Sequence, residues 1–530
     1  MTGTVASAAS TETPTHDWTA ARRRVSGGTL PADSVPDALV RCARRAPWQT
    51  CLTTVGPDGL QSVTFAELAT LVAAQARELA GSGLGRGARV ALRVENTSDG
   101  VVDVLAVMAT GATAVLLDPQ DAAERTDRLV CQVGATWVDE HRSTAGALPL
   151  PPVPDDEAAI VFTSGSTGLP QAVALSHRNL LANASDLVHH HSSAQRSGLA
   201  TPLPLFHVNA LGFGLVASLV AGSPVTLLPG FDPLGFGRQL AAVRPGIISV
   251  VPSLLGALTR SRHRVEMPDS VRYFVSAAAP LPPATARAVH DRFGIRVVQG
   301  YGMSEATNFS CTMPVDLGDD AYRRLVLGGP APVGIALPGN EVAILGPGDA
   351  PVAPGDYGDV CVRGENVMLG YVGDAAATAE VLRGGWLRTG DIGSFLLDPS
   401  VADPLLVLSG RAKNVVKVSG ASIGLEEIEA CVLDDPLVVA AVAVGVPDPI
   451  TGEAVVVAVV PAGAGLDPAR VQRGVQRRLG LAYVPASVRL VKSVPLLRNG
   501  KLDRRAVRAQ IMEEVAVARL DLTDLSQEMD

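Results

Sequence analysis

A chain of 530 residues is too long for one ordinary core, and a 47% hydrophobic content is ample for packed ones, so two or more domains are expected. A net charge of −9 offers no basic stripe to neutralise phosphates, which argues against nucleic acid as the principal partner. The cysteines (Cys42, Cys51, Cys131, Cys311, Cys361, Cys431) show no Cys-x-x-Cys spacing, a pattern of reduced thiols rather than of a disulfide framework or zinc site.

Residues 1 to 30 read as a flexible lead-in, rich in Ser, Thr and Ala and closed by Arg22-Arg23-Arg24. It lacks the apolar core of a secretory signal, so a cytoplasmic protein is expected. From Val35 to Pro330 short apolar runs such as Arg89–Val94, Ala159–Phe162, Ile247–Val251 and Arg296–Val298 alternate with helical stretches. That alternation predicts mostly parallel sheets with helices on their faces. Val101–Leu117 is nearly all apolar, but Asp103 and Gly111 interrupt it, so it reads as a core helix passing into a strand and not as a membrane span.

The texture changes from Gly334 to Ser409, where Gly and Pro punctuate the runs Glu341–Leu345, Gly358–Arg363 and Leu405–Ser409 into a β-rich subdomain. After Gly410-Arg411 it changes again, to a compact alternation of helix (Leu425–Val432), strands (Val438–Val444 and Ala454–Val460) and helix (Ala469–Leu479). The expected architecture is therefore α/β: a large N-terminal domain over 31–409 and a hinge at 410–413. A small, mobile α+β C-terminal domain over 414–530 completes it. Lysine is confined to Lys413, Lys417, Lys492 and Lys501, all in the last quarter of the chain, which is otherwise served by arginine. His189-His190-His191 reads as an exposed helix end, because consecutive helical side chains diverge too far to share a metal. The acidic tail after Ile511 reads as a fraying helix.

Thr163–Gln171 (Thr-Ser-Gly-Ser-Thr-Gly-Leu-Pro-Gln) follows an apolar strand, and its glycines, hydroxyls and backbone N–H groups suit the wrapping of phosphate oxygens. No Gly-Lys-Ser/Thr closes it, so it is not a Walker loop. Further segments follow in order: Pro204–Asn209, Ser276–Leu281, Gln299–Glu305, Trp386–Asp391, Gly410–Asn414, Lys417–Gly420 and Arg498–Arg504. Singly each has a bland reading. Gly-Asp pairs cap turns, a histidine after an aromatic is commonly a satisfied core residue, and Gly-Lys turns are ordinary surface.

Together, and in this order from about Val35 to Arg508, these segments resemble the adenylate-forming superfamily, and within it the acyl-CoA synthetases (AMP-dependent acid:CoA ligases). The resemblance implies that Thr163, Ser164, Gly165, Ser166, Thr167 and Gly168 hold ATP phosphates, with Ala278, Ala279, Pro280 and Tyr301 against the adenine and Gly302 in the same nucleotide site. Ser304 would reach the α-phosphate, Asp391 and Arg411 the ribose, and Thr163 and Glu305 Mg²⁺. Lys501 would bridge the substrate carboxylate and α-phosphate, while His207, Val208, Ala277 and Gly302 border the acyl pocket. Lys413 would serve the hinge, and Ser419 and Gly420 would lie on the loop facing coenzyme A. The implied reaction converts a hydrophobic carboxylic acid through acyl-AMP to a CoA thioester.

Some positions depart from the family pattern. Gln171 stands where lysine is usual, Ala172 where glycine is common, Asn414 where aspartate is frequent and Leu425 where proline is usual. A lost charge-assisted contact to phosphate is worth roughly 1.5–3 kcal/mol, about one to two decades in ATP use. A thioesterification-only enzyme, supplied with acyl-adenylate by a separate ligase, is therefore an alternative. Another is a stand-alone adenylation enzyme that loads a carrier protein in trans.

Overall fold

The computed structural model describes residues 30–56, 59–137, 151–163, 170–232, 235–261, 265–329, 331–411, 414–418, 421–448, 451–496 and 502–514. Among the described residues, the first sheet is nine-stranded. Its order is Ile335–Ala336, Phe309–Thr312, Arg296–Gly302, Tyr273–Ser276, Ile247–Val250, Leu199–Thr201, Val225–Leu227, Thr50–Gly56 and Gly59–Thr64. From Arg296–Gly302 across to Thr50–Gly56 the pairing is parallel throughout, and antiparallel strands flank this block on both sides.

A six-stranded sheet comprises Gly370–Tyr371, Ala172–Ser176, Glu157–Phe162, Thr113–Leu117, Arg89–Arg93 and Thr136–Trp137, in that order. Ser98–Ala109 is a buried helix, and it passes through Gly111 into the wholly buried strand Thr113–Leu117, as the apolar run predicts. No described helix is long and apolar enough to cross a membrane. Aromatics are few, and the core is closed by aliphatic side chains around fully buried Phe65, Phe213, Phe236, Phe274 and Phe309.

The β-rich subdomain is an antiparallel sheet of Asn340–Leu345, Gly358–Gly364, Trp386–Leu396, Leu382–Arg383 and Leu405–Arg411. Beyond it, Val415–Val418, Ala421–Gly424, Val438–Asp448, Gly452–Pro461 and Ser487–Leu490 make a separate sheet. Helices Leu425–Leu433 and Pro468–Leu479 pack with that sheet around their own core of Val416, Ile428, Val457 and Val475. The chain thus has an α/β body of parallel sheets, a β-rich subdomain and a distinct α+β C-terminal unit. Glu513 and Glu514 end a helix over residues 504–514. The rest of the acidic tail and the lead-in 1–29 lie outside the described residues.

The histidine triplet corrects one expectation. Helix His177–Gln195 carries all three, but only His189 is exposed; His190 is half-buried and His191 is buried. Three successive residues span about 200° around a helix axis, and here Tyr273 and Phe213 cover the last of them. The His191 Nδ1 lies 3.0 Å from the Tyr273 hydroxyl, and its ring packs on Phe213. Burial holds its pKa well below the usual histidine range, so it is neutral.

Candidate active site

Parallel strands deliver three of the motif segments to one edge. Leu199–Thr201 runs toward His207, Tyr273–Ser276 toward Ala277–Pro280, and Arg296–Gly302 ends in Tyr301 and Gly302, all within the parallel block. Segments leaving the C-terminal ends of parallel strands are where open α/β sheets build ligand sites.

Tyr301 donates its hydroxyl proton to Asp391 Oδ2 at 2.7 Å, across 90 residues of chain. Both residues are buried. Burial first, and then the neighbouring Asp391 carboxylate, push the Tyr301 pKa well above the usual phenol range, so the hydroxyl remains a donor. Asp391 reaches this place through a bulge. Asp359 and Cys361 pair with Ile392 and Arg388, so Val360 alone faces Thr389, Gly390 and Asp391. Gly390 takes φ 73°, a left-handed value that glycine adopts without Cβ strain. The Thr389 hydroxyl then donates to Val360 O at 2.7 Å and accepts from the Asp391 N–H at 3.1 Å. In the next strand the Cα partner of Asp391 is Arg411. A carboxylate with an arginine backbone position directly opposite is suited to accept from a vicinal diol.

Glu305 lies in the one-turn helix Ser304–Ala306 and is buried. The Tyr371 hydroxyl donates to its Oε1 at 2.9 Å, and the Met368 N–H donates to its backbone carbonyl at 2.9 Å. Asn366 Nδ2 donates to Ala306 O at 3.0 Å, and the Thr307 hydroxyl to Asn366 O at 2.5 Å. The segment 365–368 is fixed in turn by Asn179, whose Nδ2 donates to Glu365 O at 2.7 Å and Val367 O at 2.8 Å. Asn179 also completes a capping box with Ser176 at the start of helix His177–Gln195. Asn366 and Tyr371 thus position Glu305, and the sequence reading missed both. No local spacing distinguishes Tyr371 from any strand tyrosine.

The phosphate-loop segment tips an antiparallel hairpin of Glu157–Phe162 and Ala172–Ser176, closed by Thr163 N donating to Gln171 O at 3.0 Å. Ala172 is fully buried in that strand, so the methyl in place of glycine is accommodated in the core. The outer neighbour of this hairpin is Gly370–Tyr371, with Tyr371 opposite Val173. One tyrosine therefore joins the phosphate hairpin to Glu305.

Ala278 is exposed at φ 70°, so its methyl carries left-handed backbone strain. Gly302 cannot carry a side chain, because a Cβ there would lie 1.5 Å from Asn308 O. His207 and Val208 are half-buried and lead into a π-helix, Asn209–Val216, whose Gly212 faces Thr307 and Asn308. Ala277 is buried, Ala279 and Ser304 half-buried, and Pro280 exposed. Ser164, Gly165, Ser166, Thr167, Gly168, Lys413, Ser419, Gly420 and Lys501, with the Arg411 side chain, lie outside the described residues.

No group of three or more His, Cys, Asp or Glu side chains suited to a metal occurs among the described residues. Mg²⁺ does not need one, since it takes one or two carboxylates together with substrate phosphates and water. The hard carboxylate of Glu305, held beside the phosphate hairpin, fits that ligand class.

Comparison with known proteins gives the family. The family model described as AMP-binding enzyme matches residues 39–147 and 130–372, and the AMP-binding enzyme C-terminal domain matches 427–501. The chain is 31% identical over 509 residues to a sulfoacetate–CoA ligase of Cupriavidus necator, covering 88% of this chain and 96% of that one. It is 32% identical over 498 residues to a feruloyl-CoA synthase of Amycolatopsis sp., covering 88% and 97%. The crystal structure of ATP-bound MatB from Rhodopseudomonas palustris superposes with a TM-score of 0.79 at 27% identity, over 90% of this chain and 98% of that one. The chain belongs to the AMP-binding enzyme family, the adenylate-forming enzymes of acyl-CoA synthetase type.

Proposed function

We propose that the protein is an acyl-CoA ligase that makes the CoA thioester of a hydrophobic carboxylic acid through an acyl-AMP intermediate. The observation that carries this reading is the buried Tyr301–Asp391 pair with Arg411 opposite, a ready acceptor for a ribose at the C-terminal edge of the parallel sheet. In the first half-reaction a carboxylate oxygen attacks the α-phosphorus of ATP. The bond to the bridging oxygen breaks, and pyrophosphate leaves. Thr163 and Glu305 would hold Mg²⁺, which when bound neutralises charge on the phosphates. Lys501 would hold the carboxylate against the α-phosphate. In the second half-reaction the sulfur of CoA attacks the acyl carbon, the carbon–oxygen bond to AMP breaks, and the thiol proton passes to solvent. Rotation about 410–413, exchanging Lys501 for Gly420, would let one pocket serve both steps.

The preference for an apolar acid is supported by the acyl-side segments. Residues 207–216 and 276–281 contain no Asp, Glu, Lys or Arg, and Ala210–Val216 are buried apolar residues and glycines.

A second reading is favoured by Gln171. The chain has no lysine before Lys413, so none stands beside the phosphate hairpin in sequence. Under that reading only the second half-reaction is efficient, and a separate ligase supplies the adenylate. One experiment tests both, with the purified protein and a panel of apolar and polar acids. Acid with MgATP and CoA is compared with the matching preformed acyl-AMP and CoA. Comparable acyl-CoA from both supports the complete ligase. Product from acyl-AMP alone supports the second reading, and product from neither, across a panel that includes polar acids, refutes both.

A further inference from the structure

Asn414, the first described residue after the proposed hinge, donates its Nδ2 to Glu426 Oε1. The same carboxylate oxygen accepts from Arg504 Nη2 at 3.3 Å. Arg504 is itself firmly held, forking onto both oxygens of Glu429, one at 3.0 Å, and donating to Ala443 O at 2.6 Å. In sequence it ends Lys501-Leu502-Asp503-Arg504. The loop bearing Lys501 is pinned at its base by the Leu496–Leu502 bridge and by Asp503 N donating to Pro495 O at 2.9 Å. The second oxygen of Glu426 is buried, has no hydrogen-bond partner among the described residues, and lies 2.6 Å from where a Cβ on Gly410 would stand. Gly410 has φ 147°, a backbone conformation that favours glycine.

We infer that Glu426 is a positioning residue that couples the hinge to the lysine loop, holding Asn414 and Arg504 on one oxygen and turning the other to Gly410. The inference rests on the two-step reading above. It also gives the unusual Asn414 a purpose. An aspartate there would set a second carboxylate against Glu426, where the asparagine amide donates instead. Asparagine therefore stabilises the placement of Asn414 on Glu426 relative to any arrangement in which this contact is broken.

The test compares the wild type with Asn414→Asp, Glu426→Gln and the double variant. Adenylation is read as pyrophosphate release with acid and MgATP, and thioester formation is read separately from preformed acyl-AMP and CoA. Backbone hydrogen exchange is followed at 410–411 and 414–418. Asn414→Asp is expected to change the ratio of the two half-reaction rates by about fivefold and to speed hinge exchange. Glu426→Gln alone retains an acceptor and changes little. In the double variant the repulsion between two carboxylates is removed while the glutamine oxygen still accepts from Arg504, so the ratio and exchange return toward wild type. Equal loss of both half-reactions in Asn414→Asp, or no rescue in the double variant, overturns the inference. If the wild type performs neither half-reaction, the two-step reading fails, and hydrogen exchange alone decides whether Glu426 holds the hinge.

Discussion

The Tyr301 hydroxyl stands 2.7 Å from Asp391, and the strand register sets Arg411 opposite that same aspartate. Three separate motif segments thus become one surface, and the tyrosine fixes the direction of the carboxylate. Tyr301→Phe removes a buried hydrogen bond to a charged acceptor, a loss of about 1.5–3 kcal/mol. Nucleotide affinity should fall by about tenfold or more, measured by calorimetric titration with AMP, while the fold by circular dichroism is retained. Unchanged AMP affinity would remove the pair from the nucleotide site.

Gly302 is predicted to tolerate no side chain. A Cβ placed 1.5 Å from Asn308 O must displace the backbone that follows Glu305, so Gly302→Ala should cost roughly 3 kcal/mol in denaturant unfolding. Ala278 gives the opposite sign. Its φ of 70° favours glycine, so Ala278→Gly should raise stability by about 0.5–1 kcal/mol in the same assay.

The phosphate hairpin offers a gain-of-function test. Gln171→Lys places an ammonium group beside the loop base, where Gln171 O accepts from Thr163 N. Pyrophosphate release with acid and MgATP should rise by about one to two decades, with thioester formation from preformed acyl-AMP unchanged. No rise would show that the glutamine does not limit adenylation.

Acid sensitivity should be written into the body of the protein by His177. This fully buried ring accepts the Val35 N–H at Nδ1, 3.3 Å away, and burial lowers its pKa from 6.5 to about 4. Between those values the unfolded chain binds the proton and the folded chain does not. Stability is therefore complete above pH 6.5 and falls as the pH drops toward 4, by about 3 kcal/mol for this group. His177→Gln, which keeps an acceptor without the titration, should flatten the urea midpoint against pH across that window.

Tyr371 offers a further test through Glu305. Losing its hydroxyl in Tyr371→Phe frees the Glu305 carboxylate, which the tyrosine holds at 2.9 Å. The Mg²⁺ concentration needed for half-maximal ATP binding should rise by about tenfold to a hundredfold, the usual cost of losing a partner behind a metal ligand. An unchanged Mg²⁺ dependence would place the metal elsewhere.

Much of this protein is local and was therefore legible in its sequence. Alternating apolar runs announced parallel sheets, because strands buried on both faces must be apolar throughout. The ordered segments around Tyr301, Asp391, Gly410 and Lys501 announced the family, since groups that touch phosphate, diol or carboxylate leave compact residue patterns. Burial of His191 was not legible, because which face of a helix meets the core is set by what packs on it. The supports of Glu305 were not legible either. Tyr371 reaches it across 66 residues of chain and Asn366 reaches the adjoining Ala306 across 60, and no spacing rule encodes such a meeting. The latch at Glu426 belongs to the same class. Sequence determined which chemistry-bearing residues the chain carries. Only the tertiary structure decided which of them share an oxygen, because hydrogen bonds at 3 Å depend on sheet register and packing, and these are fixed by the whole core at once.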